Sequence, residues 1–448
     1  MVFSFRYMET LEIAELPIHP AISISVFLIG ATAWGFYIFF EYKAGNMPKR
    51  WITILCIFLL VFSVLGVIIQ KDPFVITTLK GEHGATIAAY EPYYTLNGDS
   101  MTITLPVSML HKLFFTLAII QIITFMYAGF FIFPKRAKSL WVIKILGYII
   151  FVFVTSLCIY SYIVEAGLYG EFLEKIFVEG IGATPVQSYI LNSNAFGMSL
   201  LLGILFCCIN HSLEKKWFYF PIMLVLLLQM FFTFCRTSLI ISLILGPAYI
   251  IYNLVTTFRG HFKRNLFWSL AFGISFTTLV LLFIISAITD GAFIPYFNNA
   301  VEVFSSIGSL VSRYHIWEVT FEIFNVSPLY YFFGMGYGVI NFELFHVLAI
   351  KDGWDAIPTH NSFIHLLAQG GLFMILLYIV FMVYVVRLIA KNWKYNHTLF
   401  YAITLGLISF TIYSFVETIQ YLVYPFVLLV FIVINIYNNK EKQEIEAK

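Results

Sequence analysis

The 448-residue chain is 60% apolar and 11% charged, and its mean hydropathy is +0.89. Soluble domains are typically about half apolar and a quarter charged, so the composition excludes a soluble protein and predicts a polytopic membrane protein. The formal net charge is only +2, and no nucleic-acid partner is expected. The five cysteines have no motif spacing, which argues against a disulfide framework.

Apolar runs of about 20 residues, enough to cross roughly 30 Å of hydrocarbon as a helix, recur along the whole chain. They predict an all-α polytopic membrane protein with about eleven transmembrane helices, and ten or twelve also fit the pattern. The predicted spans lie near 21–41, 52–69, 114–133, 141–163, 194–210, 217–234, 238–256, 266–288, 363–387, 398–416 and 420–437.

Lys and Arg near the ends of these spans set the expected orientation, because basic residues favour the cytoplasmic side. If the basic 42–51 connection is inside, strict alternation places the N-terminus outside and the tail 439–448 inside. The one large extracytoplasmic loop is then 289–362. A long ordered loop in a compact protein is usually functional, so this loop is the expected site.

The 289–362 loop has several features of chemical interest. Residues 300–325 have helical spacing, with Arg313 and Trp317 four positions apart on one face. The interval 329–350 is aromatic and apolar but interrupted by glycines, so it is expected at the membrane surface rather than across it. The plain use of these glycines is to let the backbone turn or approach another segment closely. They are Gly334, Gly336 and Gly338.

Two arginines on the predicted outer side are candidates for binding an anionic group. Arg236 begins a span at its outer end, where the helix dipole also attracts anions. The alternative for Arg236 is an interface anchor whose side chain reaches water. Arg313 could hold a phosphate through its planar fork of donors, and the alternative is a structural ion pair with Glu318 or Glu322.

His360 immediately precedes a predicted span and is followed by Asn361, a good helix N-cap. An imidazole can accept a proton near neutral pH, so His360 is the candidate general base. A purely local role beside the cap is the alternative. His365 lies more than about 100° further around the same helix and is expected to be a packed core histidine.

Acidic residues and histidines in the same loop offer a metal site as an alternative use of the region. Their spacing matches no standard ligand signature, so neither a metal nor another cofactor is expected. These residues are Glu343, His346, Asp352, Asp355 and His360.

The order of these motifs resembles the O-antigen ligase and O-antigen polymerase superfamily of bacterial envelope glycan enzymes. The motifs are Arg-Thr-Ser opening a span, Ser-Arg with a tryptophan, Pro-Leu with alternate glycines, and His-Asn with a later glycine. They comprise Arg236 to Ser238, Ser312, Arg313, Trp317, Pro328, Leu329, Gly334 to Gly338, His360, Asn361 and Gly371. The segment 192–197 is similar to the Asn-Pro-Asn-like segment that precedes a span in many members. Cys235 stands where a serine commonly precedes the first arginine.

The resemblance divides the chain into an N-terminal transmembrane region, 1–190, a ligase/polymerase-like region, 191–438, and a cytoplasmic tail, 439–448. It implies a GT-C-like fold in the bacterial cytoplasmic membrane. It also implies a metal-independent, inverting glycosyltransferase whose donor is an undecaprenyl-diphosphate-linked oligosaccharide at the outer face.

The resemblance further implies roles for individual residues. Arg236 and Arg313 would bind the diphosphate, and His360 would deprotonate or orient the acceptor hydroxyl. Asn361 and Asn194 would support them with hydrogen bonds. We expect a polymerase of O-antigen or capsule repeat units, with membrane lipid and a chain-length regulator as candidate partners.

Two alternatives remain. An O-antigen ligase would transfer the glycan to lipid A core or to a protein, and the motifs do not separate it from a polymerase. A lipid-linked oligosaccharide transporter or flippase would use the arginines as a moving phosphate site. It would be expected to have paired broken helices or a repeated half, and the sequence shows neither.

Overall fold

The computed structural model describes residues 20–70, 73–79, 94–105, 109–136, 139–176, 184–190, 192–257, 308–336, 339–352, 359–417 and 426–438. Several predicted features lie outside the described residues. These are the predicted span 266–288, the loop residues 289–307, Gly338, Asp355 and the tail 439–448.

The described chain is mostly helical. Its helices are α1 (Pro20–Lys43), α2 (Arg50–Ile68), α3 (Met109–Met126), α4 (Trp141–Val164), α5 (Ala166–Glu174), α6 (Ser193–Glu214), α7 (Tyr219–Phe232), α8 (Arg236–Thr257), α9 (Gly308–Phe324), α10 (Leu329–Phe333), α11 (Val339–Asp352), α12 (Ser362–Asn392), α13 (His397–Ser414) and α14 (Phe426–Asn438). A π-helical stretch, Tyr127–Ile132, and a last turn, Phe133–Arg136, continue α3.

Within the described ranges, six helices are long and apolar enough to cross a membrane. They are Arg50–Ile68, Phe115–Lys135, Trp141–Val164, Ser193–Glu214, Ser362–Tyr395 and His397–Ser414. α7 and α14 are shorter apolar helices. The chain is therefore a mostly helical protein with several helices suited to a membrane. The number eleven and the GT-C-like arrangement stay predictions.

A three-stranded antiparallel sheet, which was not predicted from the sequence, lies between α2 and α3 in the chain. Its strands are β1 (Phe74–Leu79), β2 (Tyr94–Asn97) and β3 (Ser100–Leu105), in the order β1-β3-β2. β2 and β3 form a hairpin whose turn contains Gly98 with a φ of +63°. The inner side chains alternate along the strands, as the two-residue period of a strand requires. They are Phe74, Ile76, Met101, Ile103 and Leu105.

The chain divides into two compact units, each made of discontinuous stretches. The first contains Met1–Arg136, Ser309–Arg387 and Ser414–Tyr421. In its core, the inner face of the sheet packs with apolar residues of α9 and α11. These residues include Ile316, Val319, Ile323, Leu344, Val347 and Leu348. The sequence-based division at residue 190 stays a prediction.

A break in α12 gives the first unit a close contact between backbones. Gly371 has φ +64° and ψ −162°, and Gly370 is also non-helical. Gly334, with φ +70° and ψ −170°, packs against this break. A Cβ atom on Gly334 would lie 2.7 Å from the nitrogen of Gly371. The Met335 N–H donates to the Ala368 carbonyl at 2.6 Å, which satisfies a carbonyl beside the break.

The same glycine segment also contacts α2. A Cβ atom on Gly66 would lie 2.8 Å from the nitrogen of Gly336, and Gly336 itself has a φ of +93°. The expected use of these glycines, turning and close approach, is confirmed for Gly334 and Gly336.

The second unit contains Ala137–Gly308, Leu388–Tyr413 and Leu422–Lys448, and α6 is its central helix. α6 packs against α4, α7 and α8, and every residue from Phe196 to Ser212 is buried. Asn192 caps this helix, because its side-chain oxygen accepts a hydrogen bond from the Ala195 N–H at 2.9 Å.

Candidate active site

Three segments of the first unit, far apart in sequence, bring ionisable side chains together. The segments are the first turns of α9, the residues that precede α12, and the residues that follow α13. They contribute Arg313, His360 and Glu417, respectively. Two of these, Arg313 and His360, were predicted from the sequence, and Glu417 was not.

The carboxylate of Glu417 bridges the two predicted residues. Its Oε1 accepts a hydrogen bond from Nη2 of Arg313 at 2.6 Å, and its Oε2 lies 2.9 Å from Nδ1 of His360. The side chains of Arg313, Glu417 and His360 are 15%, 11% and 24% exposed. They are thus largely shielded, which strengthens their interaction, yet a ligand can still reach them.

The structural ion pairs considered for Arg313 are not formed. Glu318 lies 3.7 Å from His315, and Glu322 lies 3.2 Å from Lys351. Among the described residues, the Arg313 side chain hydrogen-bonds only to Glu417, through one terminal nitrogen. Its remaining N–H donors form no hydrogen bond within this part of the chain.

The hydrogen bond to Glu417 assigns the tautomer of His360. An ionised carboxylate only accepts hydrogen bonds, so the ring hydrogen is assigned to Nδ1 of the neutral imidazole. Nε2 is then the proton acceptor, and it has no partner among the described residues. A carboxylate that holds a histidine in this way is the arrangement of a general base.

His360 has a left-handed backbone conformation, with a φ of +48°. Such a conformation is uncommon for a residue other than glycine, and it persists only where the surroundings impose it. Asn361 supplies part of that constraint. Its Oδ1 accepts hydrogen bonds from the N–H groups of Phe363 and Ile364, at 2.9 and 3.1 Å, so the predicted N-cap is confirmed.

Further hydrogen bonds join the segments behind the ionisable groups. The Asn361 amide donates to the Phe415 carbonyl at 3.0 Å, and the Ser362 hydroxyl donates to the Glu417 carbonyl at 2.8 Å. The Trp317 indole donates to the Thr359 carbonyl at 2.8 Å. Trp317 therefore supports the turn that carries His360, from the same helix that carries Arg313.

Arg236 and Asn194 belong to the second unit. Arg236 is the first residue of α8, and its guanidinium lies over the Phe234 ring at 4.8 Å. The preceding Cys235 thiol is 3.2 Å from the hydroxyls of both Ser238 and Tyr413. Cys235 thus occupies a polar position.

The predicted Asn194 is the second residue of α6, and Asn192 is the residue that caps this helix. The Asn194 carbonyl lies 3.5 Å from the Tyr413 hydroxyl. Roles of Arg236 and Asn194 in substrate binding stay predictions. His365 is buried, and its Nε2 lies 2.8 Å from Gln369, as expected of a core histidine.

Glu417 is the functional candidate that sequence reasoning missed. It follows the predicted span 398–416 directly, and the alternation of spans places it on the same side as His360. Desolvation of a carboxylate at the end of an apolar span is costly, so the sequence position of Glu417 predicts that its side chain is paired with a hydrogen-bond donor or a cation. This position alone does not predict which residue is the partner.

Among the described residues, no group of three or more His, Cys, Asp or Glu side chains could hold a metal ion. The loop residues considered for a metal extend beyond the described part, so the metal-independent chemistry stays a prediction. Comparisons with protein-family models, with curated proteins and with solved structures find no match for this chain.

Proposed function

We propose that this protein is a glycosyltransferase of the bacterial cytoplasmic membrane, acting on undecaprenyl-diphosphate-linked oligosaccharides. In this proposal it is a polymerase that joins repeat units of a surface polysaccharide at the outer face. The supporting observation is the His360–Glu417–Arg313 cluster at the start of α12, a helix suited to a membrane. The order of motifs that contains Arg313 and His360 supports the same activity.

The cluster contains the two groups that glycosyl transfer from a lipid diphosphate requires. One is a base near the acceptor, and the other is a fixed cation near the leaving group. His360, oriented by Glu417, would be the base. Arg313 would bind the diphosphate, because a guanidinium forms paired hydrogen bonds with phosphate and stays charged at every working pH. Arg236 is a second candidate phosphate contact.

The reaction balances with these groups alone. The oxygen of the acceptor hydroxyl forms a bond to the anomeric carbon, and the bond from that carbon to the diphosphate oxygen breaks. The bonding electrons leave with undecaprenyl diphosphate, and the hydroxyl proton passes to Nε2 of His360. His360 then releases the proton to water. Because the nucleophile enters opposite to the leaving group, the anomeric configuration inverts.

The break in α12 is an observation that favours the second candidate, a transporter of lipid-linked oligosaccharide. Broken helices form substrate sites in many transporters. Here, however, the backbone of Gly334 and the Met335 N–H occupy the break. The break therefore has a structural role within the first unit, and the transferase is the better supported candidate.

The test is transfer by purified protein in proteoliposomes, with a lipid-diphosphate oligosaccharide as the donor. His360→Ala should lower the transfer rate by about 100-fold or more, the usual contribution of a general base. Donor binding should remain, because Arg313 is unchanged. His315→Ala is the matched control, since His315 lies in the same unit and pairs with Glu318. Polymer of normal length and rate from His360→Ala would contradict the proposal, and acceptor choice would distinguish a polymerase from a ligase.

A further inference from the structure

The two oxygens of the Glu417 carboxylate contact two residues with different proposed roles. One oxygen neutralises the cation proposed to bind the donor, and the other orients the proposed base. A diphosphate that approaches Arg313 brings negative charge next to the charge of Glu417. In a largely shielded site, the Glu417 carboxylate and the diphosphate repel each other when both contact the Arg313 guanidinium. This repulsion favours replacement of the carboxylate by the diphosphate.

The carboxylate of Glu417 is not needed to hold its own backbone in place. The Ser362 hydroxyl holds the Glu417 carbonyl, and the Asn361 amide holds the neighbouring Phe415 carbonyl. These bonds remain when the contact between Glu417 and Arg313 is lost. The side chain can therefore release Arg313 without displacement of residues 415–417.

We infer that Glu417 is an exchangeable counterion, which occupies Arg313 in the empty protein and yields it to the diphosphate of the donor. The carboxylate then keeps its bond to Nδ1 of His360 and is no longer shared with Arg313. The orientation of the base by Glu417 therefore does not compete with the contact to Arg313 when a donor is bound. This inference rests on the proposed function, because it assigns the diphosphate to Arg313.

The inference predicts opposite effects on binding and on transfer for one substitution. Glu417→Gln removes the competing charge and keeps the size of the side chain. It should therefore bind undecaprenyl diphosphate about 3- to 10-fold more tightly. It should also transfer glycan at least about 10-fold more slowly, because a neutral amide orients His360 poorly and does not stabilise its charged form. A merely structural role for Glu417 would weaken both binding and transfer.

Binding is measured with undecaprenyl diphosphate in lipid nanodiscs, and inorganic pyrophosphate is used in parallel to separate the headgroup from the lipid chain. Glu318→Gln is the matched control. It removes a carboxylate from the same helix as Arg313 without touching that residue, and affinity should stay within about twofold. In the Arg313→Gln background, Glu417→Gln should not increase the affinity for undecaprenyl diphosphate, because the increase requires the guanidinium of Arg313.

Equal or weaker binding by Glu417→Gln than by the wild type overturns the inference, as does absence of binding by the wild type. If Glu417→Gln does not accumulate in the membrane, Glu417→Ala replaces it. Alanine also removes the competing charge, so this variant should bind undecaprenyl diphosphate more tightly than wild type, and equal or weaker binding overturns the inference. A wild-type protein that binds the diphosphate but transfers no glycan would contradict the proposed function, and this result is distinct from the binding results above.

Discussion

The glycine contact between α10 and α12 gives the sharpest stability prediction. Gly334 and Gly371 both have positive φ with ψ near 180°, a backbone region that essentially only glycine occupies. Gly334→Ala should cost about 1–3 kcal/mol for this backbone conformation alone. The new Cβ would also lie 2.6 Å from the Gln369 carbonyl carbon, and such overpacking costs a further ~1–3 kcal/mol.

The substitution should therefore destabilise the protein by about 2–6 kcal/mol. Each kcal/mol shifts the melting temperature by roughly 2–4 °C in chains of moderate size, so a decrease of at least about 4 °C is expected. Transfer should also slow, because α12 begins at the cluster that contains His360. Melting is measured on the purified protein in detergent, and transfer is measured in proteoliposomes.

Gly35→Ala is the matched control for this experiment. Gly35 lies inside α1, and its φ is not positive. Apart from its chain neighbours and the backbone of its own helix, no atom of the described residues lies within 4 Å of an added Cβ. Alanine is favoured over glycine in a helix by about 1 kcal/mol, so this variant should melt at the same temperature or higher. A Gly334→Ala protein that melts like the Gly35→Ala protein would show that position 334 does not require glycine.

Three further predictions follow from the charges and the chain alternation. Arg313→Lys and Arg236→Lys should each slow transfer about ten- to a hundredfold, because lysine keeps the charge but loses the planar fork of donors. Wild-type rates would mean that the two arginines act only as diffuse charge. Transfer should continue in excess EDTA, and loss of activity that a divalent cation restores would contradict metal independence. In a background without native cysteines, Glu318→Cys should react with an impermeant maleimide in intact spheroplasts, and Ala44→Cys should react only after lysis. The reverse labelling pattern would contradict the predicted orientation.

The sequence predicted a mostly helical chain with helices suited to a membrane, because long apolar runs are a direct signal for such helices. It did not predict the sheet of β1, β2 and β3, since these strands lie between two predicted spans, where no long apolar run marks them. The Gly98-Asp99 pair, which forms the two-residue loop between Asn97 and Ser100, is a hairpin signal between two alternating segments, and it could have identified β2 and β3. Hydropathy gives less information where a segment lies outside the membrane.

The sequence also predicted the chemical groups of the candidate site but not their partners. Arg313 and Glu417 are 104 positions apart, and His360 and Glu417 are 57 apart. No local spacing rule connects residues at such distances, whereas the N-cap role of Asn361 depends on neighbouring residues only. The two ion pairs first considered for Arg313 were local to its helix, and the structure forms neither.

Contacts between the N-terminal sheet and α9 give the N-terminal region a role in positioning Arg313, which the sequence alone did not predict. In the first unit, the Thr78 hydroxyl of β1 donates to Oε2 of Glu322 at 2.8 Å, and Lys351 of α11 pairs with the same carboxylate. Glu322 and Arg313 are nine positions apart on α9, so they project about 180° from each other around the helix. α9 is thus held by the sheet and α11 on one face and by Glu417 on the opposite face. Because this helix carries Arg313, the sheet and α11 fix the position of the cation that we propose to bind the donor.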